Sequence, residues 1–233
     1  MFPTWVFLCL QSLTFLPLSA IVRIMSRSLS IAGVILAAGD SSRMGTDKAL
    51  LPWPPRVPGQ PPSKDTFLSS AIRSLLATDF VVIVAGKNEA TLGPVAYANG
   101  ASIVVNPDPG RGQFSSLQVG LHEVLNRGRD AAMITLVDRP PVSAATVQML
   151  REAFETAPPN IWAVVPEFSG KHGHPFLAGR ELIEAFLQAP ATGTAREVEH
   201  RYQEHIRYIP VNEPMVALNI NTPADYAALL TRT

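Results

Sequence analysis

The segment Gly39-Asp40-Ser41-Ser42-Arg43-Met44-Gly45-Thr46-Asp47-Lys48 follows the apolar run Val34-Ile35-Leu36-Ala37-Ala38 and gathers glycines, hydroxyls and two cations into a short loop. These residue types suit a polyphosphate. Gly39 and Gly45 permit tight or left-handed backbone, amide N–H groups can approach phosphate oxygens, and Arg43 and Lys48 supply donors and positive charge. The spacing is not that of a P-loop, which needs Lys and then Ser or Thr directly after its second glycine, nor that of the dinucleotide fingerprint G-x-G-x-x-G. Read alone, the segment also fits a plain strand-to-helix turn with surface charges. A second candidate is Asp138, in Val137-Asp138-Arg139-Pro140 after another apolar run. An acidic side chain at the carboxyl end of a parallel strand stands where α/β folds place ligands. The alternative is an Asp making the turn before Pro140. His172, His174, His200 and His205 raise the question of zinc, but their spacing gives no complete ligand set. Arg196, read alone, fits an ordinary exposed helix arginine.

Short β-branched runs alternating with amphipathic stretches predict the elements that must position these groups: parallel strands joined by crossover helices. Continuous apolar character predicts strands over 31–37, 80–85, 102–105, 132–137 and 161–165. Apolar residues at helical spacing predict helices over 66–77, 89–98, 114–127, 144–155, 181–187 and 223–230. Thr222-Pro223-Ala224-Asp225 reads as a helix start with Thr222 as N-cap, which makes Asp225 structural. The prolines within 52–62 predict an exposed, extended insertion beside the site. The expected organisation is a single α/β domain over 30–233, preceded by an apolar extension over 1–24.

The stretch Leu36-Ala37-Ala38-Gly39-Asp40-Ser41-Ser42-Arg43-Met44-Gly45, followed shortly by Lys48, resembles the signature L-A-A-G-x-S-x-R-M-G of a nucleotidyltransferase family. Within that superfamily the chain is most similar to the molybdenum cofactor cytidylyltransferases. Further motifs extend the resemblance in order: Asn106-Pro107, Gly112-Gln113-Phe114-Ser115-Ser116-Leu117, Val137-Asp138-Arg139-Pro140, Gly173-His174-Pro175, Gly193-Thr194-Ala195-Arg196 and Asn219-Ile220-Asn221-Thr222-Pro223. The resemblance implies a Rossmann-like three-layer α/β/α fold with a mostly parallel mixed sheet. It implies a nucleotide site formed by Leu36, Ala37, Ala38, Gly39, Ser41, Ser42, Arg43, Gly45, Lys48, Ser115 and Ser116. Arg43, Lys48 and Asp138 become catalytic groups, Asp138 and Asn221 metal contacts for Mg2+, and His174 and Arg196 contacts of the acceptor. The implied reaction is transfer of CMP from CTP to the phosphate of molybdopterin, the phosphorylated pterin of the molybdenum cofactor, with a molybdenum hydroxylase as downstream recipient; the alternatives are a guanylyltransferase, a sugar- or isoprenoid-phosphate nucleotidyltransferase, and a non-catalytic carrier of the finished cofactor. Two departures bear on the base. Asn219 and Asn221 stand where many cytidylyl members carry Asp-x-Asp, and guanylyl members share the Asn pair, which points to GTP. Ala38 stands where the guanylyl branch usually has a second glycine, which points to CTP.

Bulk properties agree with a small-molecule enzyme. The 233-residue chain has zero formal net charge, with 16% of its residues charged, so it lacks the basic footprint of a protein that grips long nucleic acid. The single cysteine, Cys9, lies outside the expected domain, which therefore forms no internal disulfide and suits a reducing cytoplasm. From Phe2 to Val22 no residue is charged, a length that could cross a bilayer. A signal peptide would need a cation before the apolar run. An anchor would place Arg23 and Arg27 on the cytoplasmic side, but Pro17 and the polar Gln11, Ser12 and Thr14 disfavour it. Translation starting at Met25, a few residues before the first strand, is the expectation.

Overall fold

A computed structural model describes residues 29–39, 45–55, 59, 61, 63–190 and 192–231. The apolar extension over 1–24, and Arg56, Val57, Pro58, Gln60 and Pro62 of the insertion, lie outside the described residues.

The apolar runs form strands β1 Ile31–Leu36, β2 Phe80–Ala85, β3 Ser102–Val105, β4 Ala131–Leu136, β5 Ala163–Phe168, β6 Lys171–His172, β7 Phe176–Gly179 and β8 Ile206–Pro210. In one mixed sheet β3, β2, β1 and β4 lie side by side and parallel. Beyond β4, β7 runs antiparallel and pairs with the first half of β5, β6 pairs with the second half of β5, and β8 lies parallel to β5. The helices are α1 Phe67–Ser74, α2 Glu89–Ala98, α3 Gln113–Asn126, α4 Ala144–Glu155, α5 Arg180–Gln188, α6 Ala195–Arg201 and α7 Pro223–Ala228.

Side chains alternate between the two faces of a strand, and β1 distributes its residues accordingly. Ile31 and Ile35 join Val81, Ile83 and Met133 beneath α1, α2 and α4, through Leu68, Ile72, Leu92, Val147 and Leu150. Ala32, Val34 and Leu36 face the other way with Val82, Val84 and Ile134, beneath α3 and α5 through Leu117, Leu121, Leu182 and Phe186. The result is three layers, α/β/α, and every β1 side chain is buried. Gly120 lets α3 sit close on the sheet: a Cβ there would lie 2.8 Å from Val34 Cγ1 and 2.9 Å from Val84 Cγ2.

Several elements depart from the sequence-based expectation. β6, β7, β8 and α6 were not expected. β5 starts two residues later than predicted and runs three further, and α1 stops at Ser74 rather than continuing to Ala77. Both described ends of the proline-rich insertion are tied down. Trp53 N–H donates to the Asp65 carbonyl (2.8 Å), the Tyr226 hydroxyl donates to the Pro52 carbonyl (2.7 Å), and Trp53 packs edge-on against Phe67.

Candidate active site

Strands β1, β2 and β3 step across the sheet in one direction while β4 lies on the opposite side of β1, so strand order reverses between β1 and β4. Open α/β sheets bind ligands beyond the carboxyl ends of their strands at such a reversal. A cleft of about 350 Å3 occupies this place, lined among others by Ala38, Gly39, Lys48, Ser116 and Asp138, with Leu36 and Leu136 at its base.

The loop after β1 leaves the sheet at Gly39, and Ser41, Ser42 and Arg43 lie outside the described residues. It returns through Gly45, whose φ of 67° is the left-handed backbone that glycine adopts without strain. A single 3-10 turn over Lys48–Leu50 follows, with the Asp47 carboxylate accepting from the Ala49 N–H at 3.0 Å. One side chain binds this return to the sheet. Asn88, beyond the end of β2, donates from Nδ2 to the Ala37 carbonyl (2.9 Å) and to Asp47 Oδ2 (2.8 Å), and its Oδ1 accepts from the Gly86 N–H (3.0 Å). Ala37 and Gly45 therefore shape the loop rather than line the cleft.

Lys48 then points its ammonium at the mouth of the cleft, 3.4 Å from Asn221 Oδ1 and 3.9 Å from Asp138 Oδ2. Asp138 stands just past β4, its backbone fixed by Val137 N–H on the Leu36 carbonyl (3.0 Å) and by Ile220 N–H on its own carbonyl (2.8 Å). Asn221 is fixed by the capping box of α7, in which Asp225 Oδ2 accepts from the N–H groups of Asn221 (2.9 Å) and Thr222 (2.8 Å). These bonds, the Asn221 N–H first, hold the Asp225 carboxyl below its ordinary range. On the far wall, buried Asn106 donates from Nδ2 to Ser115 Oγ (2.9 Å) and Ser116 Oγ (3.0 Å). Ser116 lines the cleft, whereas Ser115 turns back to the Gly112 carbonyl (2.8 Å) and shapes the start of α3.

Asp138 Oδ1 is buried and has no hydrogen-bond partner among the described residues. A buried carboxylate oxygen left unpaired is costly to the fold. A carboxylate oxygen and an amide oxygen, both held by the same ammonium, form a hard donor set that fits a divalent cation taking its remaining ligands from phosphates and water.

A second cavity of about 430 Å3 adjoins the first, sharing Leu36, Gly112, Gln113 and Leu136 with it. His174 and Arg196 both line it, together with Arg139 and Glu199, which the sequence did not single out. The Arg139 guanidinium sits 3.4 Å from the carbonyls of Val216 and Leu218, and burial lowers its pKa despite the neighbouring Asp138. His174 is anchored by its N–H on the Val216 carbonyl (2.9 Å). The residue lines the cavity, and its Nδ1 is buried without a hydrogen-bond partner among the described residues. Burial first, and the Arg139 charge second, lower its pKa to about 3, so the ring is neutral. The histidines do not assemble. His172 stacks on Tyr208, His205 stacks on Trp162, and no cluster of three or more His, Cys, Asp or Glu suited to a metal occurs among the described residues. No helix among them is long and apolar enough to cross a membrane.

The profile of the MobA-like NTP transferase domain matches residues 33–206. The molybdenum cofactor cytidylyltransferase of Escherichia coli K12 is 26% identical over 196 residues, covering 83% of this chain and 92% of that protein. A probable molybdenum cofactor guanylyltransferase of Rhodopirellula baltica is 28% identical over 203 residues, covering 84% and 89%. Among solved structures, a protein of Mycobacterium tuberculosis H37Rv superposes with a TM-score of 0.70 at 26% identity, covering 87% of this chain and 98% of that one.

Proposed function

Because the chain belongs to the MobA-like NTP transferase family, we propose that it transfers a nucleoside monophosphate, CMP from CTP in our reading, to the terminal phosphate of molybdopterin. The observation that carries this is the convergence of Lys48, Asp138 and Asn221 at the mouth of the cleft between β1 and β4. An oxygen of the acceptor phosphate attacks the α-phosphorus. The bond from that phosphorus to the oxygen bridging to the β-phosphate breaks, and pyrophosphate leaves with the electron pair. No covalent enzyme intermediate is required, so catalysis is positioning and charge neutralisation.

Lys48, with Arg43 from the loop, neutralises the triphosphate. Leu36, Ala38, Gly39 and Ser116 form the walls against which the nucleotide lies, while Ala37, Gly45 and Ser115 hold the backbone in place. Asp138 and Asn221 are the residues that would hold a divalent cation, Mg2+ in our reading, which when bound supplies further charge neutralisation at the phosphates. His174 and Arg196 serve the acceptor from the second cavity, and a molybdenum hydroxylase would receive the product. For the base, Ala38 in place of a second glycine favours CTP; the Asn219 and Asn221 pair, shared with guanylyl members, makes GTP the alternative.

Pyrophosphate release is measured with molybdopterin carrying molybdenum, a divalent cation, and CTP or GTP in parallel. Asp138→Ala is expected to lower kcat by about 10²–10³-fold. Its melting temperature should stay near wild type, since the change deletes one buried oxygen that no described residue pairs and one held only by a long, partly exposed contact with Lys48. Release with GTP alone moves the reading to the guanylyl branch. Silence with both nucleotides, or wild-type turnover by the folded variant, overturns the reaction or the role of Asp138 respectively.

A further inference from the structure

The second cavity holds more chemistry than an anion requires. Arg111, Arg139 and Arg196 bring cations to it, yet Glu199 also lines it. Ala195 and Glu199, four residues apart on α6, share a helical face and both meet the cavity, while Val198 between them is buried in the core and anchors the helix. The Glu199 carboxylate is shielded enough that burial raises its pKa against the opposing pull of Arg196. It makes neither a hydrogen bond nor an ion pair with any described residue. A half-buried carboxylate that lines a cavity and has no direct hydrogen-bond partner among the described residues is placed to accept hydrogen bonds from a ligand.

From this juxtaposition we infer that Glu199 reads the acceptor's heterocycle, its carboxylate accepting two parallel hydrogen bonds from the ring N–H and exocyclic amine of a 2-amino-4-oxopyrimidine. Phe114, Leu117 and Phe176 give the cavity the apolar walls that a flat ring needs. The arginines suit the anionic remainder of the same molecule. Pterins carry this donor edge, and so does guanine. The pterin is the assigned source because the second cavity continues from the first: with a triphosphate beside Lys48 and Asp138, a ring against Glu199 belongs to the acceptor. The inference rests on the acceptor reading above and adds to it the residue that selects the ring.

The test uses the full chain and two fluorescent probes, 6-hydroxymethylpterin and 6-hydroxymethyllumazine. The lumazine carries a carbonyl in place of the amine and so presents an acceptor to the carboxylate. The wild type is expected to favour the pterin by at least about tenfold, since a mismatched buried polar group costs roughly that much or more. Glu199→Gln should weaken pterin binding by a similar factor and bring the two probes to within about twofold of each other. Binding of CTP or GTP with a divalent cation should stay unchanged, which a structural defect would not allow. Equal binding of both probes to the wild type overturns the inference, as does an unaltered preference in the variant. Loss of GTP binding in the variant with pterin binding intact also overturns it, because the edge being read would then be the nucleotide's. Pyrophosphate release that persists while Glu199→Gln leaves pterin affinity untouched overturns the role of Glu199 alone. Glu199-dependent pterin preference without any nucleotidyl transfer supports the inference while refuting the proposed reaction.

Discussion

His174 ties stability to pH in a calculable way. The unfolded chain carries this histidine with an ordinary pKa near ~6.5, whereas in the fold burial and the Arg139 charge lower it to about 3. Between those values the unfolded state binds a proton that the folded state refuses, so stability falls as pH falls below the unfolded pKa and levels off below the folded one. At pH 5 the unfolded imidazole is almost fully protonated and the folded one neutral, and the linkage relation gives a loss of about 2 kcal/mol relative to pH 7.5. The assay is urea unfolding at pH 7.5 and pH 5.0 for the wild type and His174→Gln. The variant carries no titrating group at this position, so it should lose about 2 kcal/mol less than the wild type between the two pH values, whatever its absolute stability. Equal losses in the two proteins would refute the account of a neutral imidazole held beside a buried guanidinium.

Asn88→Ala removes three hydrogen bonds that join the loop after β1 to the end of β2 and to Asp47. It should cost about 1–3 kcal/mol and raise KM for the nucleoside triphosphate more than it lowers kcat; unchanged melting and KM would remove Asn88 from the site's support. Gly120→Ala places a methyl 2.8 Å from Val34 Cγ1 and 2.9 Å from Val84 Cγ2. Overpacking of about 1–3 kcal/mol should outweigh the gain of up to ~1 kcal/mol in helix propensity, and a stabilised variant in urea unfolding would show that α3 can shift outward freely.

What the sequence made legible follows from what is local. The strands read correctly, β1 to β4 within a residue or so, are continuous apolar runs with no competing helical period; β1, β2 and β4 are largely buried, while β3 at the sheet edge is only partly so. β8 escaped because Ile206-Arg207-Tyr208-Ile209-Pro210 mixes a charge and a proline into a strand whose pairing among the described residues is with β5 alone. β7 escaped because Phe176–Gly179 is four residues long and ends on a glycine whose Cβ would meet Phe154 Cζ. α6 buries only Val198, too little apolar surface to register as a period. The same division runs through the candidate site. Lys48 and Asp138 follow predicted strands β1 and β4, so their strand-end positions could be read along the chain. Asn88, Arg139 and Glu199 could not: Asn88 looks like an ordinary polar residue before a helix, and its value lies in two oxygens 51 and 41 residues away in sequence. Glu199 sits on a helix that was itself unseen, and its meaning depends on a cavity walled by α3, β4, β7 and α6 together. The first cavity is thus walled by segments that follow predicted strands, while the second is completed by elements that the sequence did not show, β7 and α6. If the second cavity takes the acceptor, as proposed above, changes at Glu199 and Arg139 are expected to alter acceptor choice more than changes in the glycine-rich loop.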